Sequence, residues 1–160
     1  MDRYIVRRAE IEDYEGLDKT HFLNENARRN NKSLGDLTGI TGFGFHIIEV
    51  APGCDSTEYH LHKFEDECVY ILSGEAEVTI DSEIFNLTAG DFIGYRANGL
   101  AHTMKNAGST PLRCIVVGER LPHEVVDYPR LGKRLFNNDG HPWDMVDIAD
   151  ISNPNAGKKV

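Results

Sequence analysis

An all-β fold, a sandwich or a closed barrel, is what this sequence predicts, and three observations carry that prediction. From Phe43 to Gly118 the chain divides into short apolar or alternating runs: FHIIEV, TEYHLH, ECVYIL, EAEVTI, EIFNL, DFIGY, HTMKN and LRCIVV. Turn signals separate them at Pro52-Gly53, Asp81-Ser82, Ala89-Gly90 and Gly108 to Pro111. Beyond Gly118, Pro122, Pro129, Pro142 and Pro154 break any long helix. Short strands at regular spacing are the signature of packed or closed antiparallel sheets.

Taken in order, residues 1–42 lack sustained periodicity. The stretch NENARRNNKSLGDLTGITG is rich in Asn, Gly and Ser, which favour turns, so we read an irregular N-terminal arm rather than a domain. Residues 43–118 form the β-barrel domain. Within it VTI-DS-EIF reads as a tight hairpin about Asp81 and Ser82. ECVYIL carries apolar residues on both strand faces, more than one interior can take, and this predicts a homodimer. Residues 119–160 are a C-terminal extension with a short strand near LGKRLF. Val146, Ile148 and Ile151 lie in its acidic end and would sit in water on a free tail, so the extension is expected to pack across the barrel or a partner subunit.

Composition narrows the function. A chain of 160 residues with 40% hydrophobic content suffices for one buried core. The formal net charge of -9 argues against nucleic acid as a partner, because phosphate-backbone binding needs clustered Lys and Arg. Cys54, Cys68 and Cys114 are odd in number and none forms a CxxC pair, which fits small apolar fillers in a reducing, cytoplasmic setting. MDRYIVRRAEIEDYEG has no apolar core of a signal peptide, and no run approaches a membrane span, so neither is expected.

The chemistry concentrates in YHLHKFEDECVYILSG. On an extended strand His60 and His62 project from one side, about 7 Å apart along the chain, close enough to share a metal ion. Glu67 follows, and His102 opens the later strand HTMKN after the turn residues Gly90 and Gly99. Strands distant in sequence face each other across a narrow barrel, so His102 can join His60, His62 and Glu67. Three imidazoles and a carboxylate make a mixed N/O site for one divalent transition metal, Fe, Mn, Ni, Cu or Zn, and a poor site for Ca. The bland alternative is a solvated histidine face with Glu67 as a surface charge. By the same alternation Glu58 shares the face of the two histidines, where it could act as a general base, unless the strand bulges and turns it to solvent. Met104 and Asn106 share the parity of His102, and Val69 and Ile71 that of Glu67, which would give the cavity a floor. Phe92 and Tyr95 are candidates for its mouth. His46 reads as a core histidine, and His21, His123 and His141 as bystanders.

These motifs resemble the cupin superfamily, whose first motif is G-x5-H-x-H-x3,4-E-x6-G and whose second is G-x5-P-x-G-x2-H-x3-N. Here the first runs from Gly53 through His60, His62 and Glu67 to Gly74, with one extra residue in the first gap. The second runs from Gly90 through Ala97, Gly99 and His102 to Asn106, with one inserted residue and Ala97 in place of proline. The resemblance covers about residues 43–118. It implies a small cupin with a jelly-roll, or double-stranded β-helix, barrel, and a metal held by His60, His62, Glu67 and His102.

Cupins include sugar-phosphate isomerases, dioxygenases, decarboxylases and sugar-sensing proteins, so the resemblance alone leaves the reaction open. The first reading is a metal-dependent isomerase of a small hydroxylated or phosphorylated carbonyl compound, with Glu58 or Glu67 moving the proton. A dioxygenase is the second, and a non-enzymatic barrel that binds or senses a small molecule is the third. A phosphate would need a cation, and Lys63, Arg96, Lys105 and Arg113 are the basic residues nearest the motifs.

Overall fold

The computed structural model describes residues 3–157; the first two residues of the arm and the last three of the extension lie outside the described residues. In chain order the elements are α1 (Arg8–Asp13), β1 (Leu17–His21), β2 (Asn24–Ser33), α2 (Leu34–Leu37), β3 (Phe43–Val50), β4 (Leu61–His62) and β5 (Glu67–Ser73). There follow β6 (Glu75–Ile80), β7 (Glu83–Thr88), β8 (Phe92–Tyr95), β9 (His102–Asn106), β10 (Leu112–Glu119), β11 (His123–Tyr128), β12 (Lys133–Asn138) and β13 (Asp144–Asp147).

One wall is a six-stranded sheet in the order β1-β2-β3-β10-β5-β8. The opposite wall is built from the three-stranded sheet β7-β6-β9 and the four-stranded sheet β13-β12-β11-β4. A backbone bridge between His60 and His102 joins these two sheets. Ile48 and Val50 of β3, Val69 and Ile71 of β5, Val78 of β6 and Leu112 of β10 meet in one buried cluster between the walls. Removing such side chains from water drives the walls together.

Alternation explains β5. Val69 and Ile71 are buried while Tyr70 and Leu72 are exposed, as expected when successive side chains take opposite faces. Phe92, which pairs with Tyr70 across β8, is exposed as well, leaving an outward apolar face of Tyr70, Leu72 and Phe92. The hairpin at Asp81-Ser82 is as the sequence predicts: Ile80 pairs with Glu83, and Asp81 takes a left-handed φ of 54°. Gly74, between β5 and β6, has φ +93°, and a Cβ there would stand 2.8 Å from Leu112 Cα. Both the torsion and the close approach call for glycine.

Asn106 does not floor the cavity. Its side chain is fully buried at a corner, where Nδ2 donates to the carbonyls of Val50 and Thr110 at 2.8 Å and Oδ1 accepts from Gly108 N at 2.9 Å. Asn106→Ala would strand three backbone groups. It is expected to cost about 2–4 kcal/mol, read from the urea midpoint with an unchanged m-value.

The arm is more regular than its sequence predicts. β1 and β2 form a hairpin, and β2 pairs with β3 from Asn30–Glu49 to Ser33–His46, extending the first wall. NENARRNNKS shows no alternation because the hairpin is held by ladder bonds and polar side chains. Asn30 Nδ2, for example, donates to Glu15 O and Asp18 Oδ1, both at 2.9 Å. Tertiary pairing here overrides weak strand propensity. The extension packs across the barrel of its own chain: β11 pairs with β4 through Val126 and His62, and Val126, Tyr128 and Leu135 form a second buried cluster. No described helix is long and apolar enough to cross a membrane.

Candidate metal centre and its cavity

Backbone bonding brings the two histidine segments together. His60 N donates to His102 O at 3.0 Å, His102 N returns a bond to His60 O at 2.8 Å, and Asn98 N donates to His62 O at 2.8 Å. The rings follow: the centroid of His60 lies 4.9 Å from that of His62 and 4.7 Å from that of His102.

The partners of these rings set their tautomers. His60 Nδ1 lies 2.7 Å from Glu58 O, and His102 Nδ1 lies 3.2 Å from Leu100 O. A carbonyl only accepts, so each Nδ1 carries the proton and each Nε2 keeps its lone pair. His60 Nε2 and His62 Nε2 are 3.2 Å apart, and His102 Nε2 is buried without a hydrogen-bond partner. Burial depresses the pKa of both rings, His60 well below the usual value and His102 to about 4, so both are neutral at pH 7. Tyr95 stacks flat on His102, with centroids 3.5 Å apart and planes within 4°.

Glu67 lines the same cavity at intermediate exposure, and desolvation there raises its pKa against the opposing pull of His62 and Arg29. Among the described residues the group that places three donor atoms within 4.8 Å of one another is His62, Glu65 and Glu124, two of whose members lie outside the predicted set of His60, His62, Glu67 and His102. Its carboxylates are already engaged. Glu124 accepts from the backbone N–H groups of Lys63, Phe64, Glu65 and Val125, and Glu65 Oε1 accepts from Leu121 N at 2.8 Å. Glu65 Oε2 stands 3.9 Å from His62 Nδ1, too far for a hydrogen bond, and that Nδ1 is buried without a partner. His60, His62, His102 and Glu67 line one cavity, with the Nε2 atoms of His60 and His62 side by side, while Glu124 braces the loop between His62 and Glu67.

The cavity measures about 440 Å³. A model of the cupin domain matches residues 46–118. A solved structure from Acidithiobacillus ferrooxidans, called "Putative sugar phosphate isomerase", is 44% identical with a TM-score of 0.91, covering 94% of this chain and 96% of that one. The chain belongs to the cupin superfamily. Two curated relatives are more distant. The tetracenomycin polyketide synthase protein TcmJ of Streptomyces glaucescens is 31% identical over 52% of this chain and 52% of its own length. The quercetin 2,3-dioxygenase of Bacillus subtilis is 26% identical over 76% of this chain and 37% of its own. The chain thus spans about half the length, or less, of these curated relatives.

Several site residues of this cupin come from outside the matched segment. His21, Phe22 and Arg29 enter from the arm, and Tyr128 and Trp143 from the extension. Phe22 makes edge contacts with Tyr128 and Trp143, with centroids 6.2 and 6.3 Å apart, so arm and extension meet over the cavity. Their sequence shows no motif, and only the presence of aromatic and basic residues in otherwise polar flanks hints at a role. Of the predicted lining, Val69, Tyr95 and Met104 face the cavity, whereas Ile71 lies in the core and Phe92 outside. His46 points inward and meets Asn31 at 3.2 Å, while His123 and His141 do not reach the cavity. Glu58 is half-buried and does not line it either. The chain bends through Ser56, Thr57 and Tyr59, so strand alternation does not carry from His60 back to Glu58. None of Lys63, Arg96, Lys105 and Arg113 lines the cavity; Lys63 pairs with Asp127 at 3.3 Å.

Proposed function

We propose that this cupin binds one divalent transition metal through His60, His62, His102 and Glu67 and isomerises a small hydroxylated or phosphorylated carbonyl compound. The observation that carries the reading is the pair of neutral, oriented imidazoles of His60 and His102 on one cavity wall, with His102 Nε2 unpartnered and His62 Nε2 beside His60. The donor set of three imidazoles and a carboxylate suits first-row metals. Such a metal supplies Lewis-acid polarisation of a carbonyl. The chain supplies the rest. Tyr95 packs the plane of His102, and the Phe22–Trp143 contact narrows the mouth against water. Glu65 and Glu67 both line the cavity with pKa values raised by burial, and Glu65 is the one outside the proposed ligand set and so available to move a proton. The name and 44% identity of the Acidithiobacillus ferrooxidans protein support the same class.

The test is an anaerobic turnover screen over aldose and ketose phosphates, followed by NMR. Interconversion without oxygen supports the isomerase. Oxygen uptake with a phenolic substrate would instead favour the dioxygenase reading, which the quercetin 2,3-dioxygenase relative supports. Saturable binding without turnover would leave a binding barrel, a reading favoured by the position of Glu58 off the cavity wall. In the same assay Glu58→Gln should reduce turnover less than about tenfold; a loss of about a hundredfold would make Glu58 the base after all.

The exposed face of Tyr70, Leu72 and Phe92 supports a homodimer. Light scattering should report twice the chain mass at micromolar concentration, and Phe92→Lys should shift it toward the monomer. A monomeric wild-type protein would remove the dimer from the proposal.

A further inference from the structure

The end of the cavity contributed by the arm is basic, although the chain as a whole is acidic. Lys19 of β1 and Arg29 of β2 are directly opposed in the hairpin register, and both line the cavity. Like charges facing each other across a strand pair are destabilising. Neither residue forms an ion pair among the described residues. Arg120 adds a third cation at this end, but it is committed to Asp36 at 2.6 Å.

Arg29 is the more constrained of the two. Its Nη1 donates to Ser56 O at 2.6 Å, which fixes the guanidinium, while its Nε is buried with no hydrogen-bond partner. The side chain is deeply set, yet it keeps intermediate exposure because the surface it presents is cavity wall. Glu67 is the acidic group whose charge it feels, and that carboxylate also belongs to the candidate metal set. A fixed, buried guanidinium with an unused donor is costly unless an anion completes it.

We propose that Arg29 and Lys19 form the anion subsite of this cavity and that they take the phosphate group of a small phosphorylated substrate. A planar guanidinium with donors in a fixed fork, set beside a flexible ammonium, matches the several oxygens and double charge of a phosphate monoester better than a single carboxylate. The subsite lies in the same cavity as the histidines, so a substrate anchored here presents its other end to them. This inference rests on the isomerase reading for the choice of substrate, but it is tested without the metal.

The experiment is calorimetric titration of full-length, EDTA-treated protein with ribose 5-phosphate, ribose, ribonate and inorganic phosphate. Wild-type protein should bind ribose 5-phosphate at least about tenfold more tightly than ribose, and Arg29→Gln should remove about tenfold or more of that affinity. Lys19→Met, on an exposed strand position, should weaken ribose 5-phosphate several-fold and leave the near-UV circular dichroism unchanged. It carries the test if Arg29→Gln fails to fold. Equal affinity for ribose and ribose 5-phosphate, or wild-type affinity in Lys19→Met, overturns the subsite, and ribonate binding as tightly as ribose 5-phosphate overturns the phosphate assignment. If His62→Ala protein lacks metal yet still prefers ribose 5-phosphate to ribose, the subsite stands independently of the metal centre. The same preference in a protein whose wild type takes up no metal would sink the metal reading alone and support the subsite.

Discussion

Purified His62→Ala protein is expected to lose nearly all of its metal while keeping its β-sheet circular dichroism. Wild-type protein should carry up to about one transition-metal ion per chain after incubation with Fe, Mn, Ni, Cu and Zn, measured by mass spectrometry. Losing an outer hydrogen-bond partner of a metal ligand already costs about 10–100-fold in affinity, so removing a ligand should cost at least about a hundredfold. The His62 imidazole, next to His60 at 3.2 Å and partly exposed, can be removed with little packing loss. Glu67→Gln should behave alike, whereas Glu65→Gln should weaken binding less, through the loss of a negative charge 3.9 Å from His62. The reverse order, with Glu65→Gln metal-free and Glu67→Gln loaded, would assign the ion to the His62, Glu65 and Glu124 group instead. Wild-type protein that stays metal-free would remove both.

Glu124→Ala is expected to be the most destabilising single change at the site, by about 3–5 kcal/mol, because it deprives a buried carboxylate's whole set of partners at once. Glu124 is 2% exposed and accepts from four backbone N–H groups, the tightest being Val125 and Glu65 at 2.7 Å. Three of the four donors, Lys63, Phe64 and Glu65, lie on the loop that joins His62 to Glu67. Loosening this loop should therefore lower metal affinity along with the urea midpoint. Glu124→Gln, which keeps the volume and one acceptor oxygen, should fall between wild type and Glu124→Ala. A loss below about 1 kcal/mol in Glu124→Ala would mean that water replaces the carboxylate without cost.

Much of the barrel was legible in the sequence because its strands obey local rules. The β5 run ECVYIL alternates as a strand should, and Asp81-Ser82 turns the chain where a two-residue turn was expected. The histidines were legible for the same reason, since His60 and His62 are neighbours on one extended segment. For Glu58 the sequence leaves two directions open, and the bend at Ser56 to Tyr59 ends the alternation that would carry it to the histidine face. Asn106 was assigned by parity to the cavity, but its amide finds three backbone partners at a corner, and hydrogen bonding outweighs parity for a buried polar group. β2 was hidden because its polar residues carry no apolar period, and its strand character comes from pairing with β3.

The sequence by itself determined the residue types and spacings of the candidate ligands, the turn positions and the all-β class, because these depend on neighbours along the chain. Only the tertiary structure decided that the arm and extension meet over the cavity, that Glu124 braces the ligand loop from 59 residues away in the chain, and that Lys19 and Arg29 line the cavity of an acidic protein. Net charge counts every residue alike, whereas the field in a cavity is set by the few side chains that sheet pairing turns toward it, and that pairing joins segments no local pattern connects.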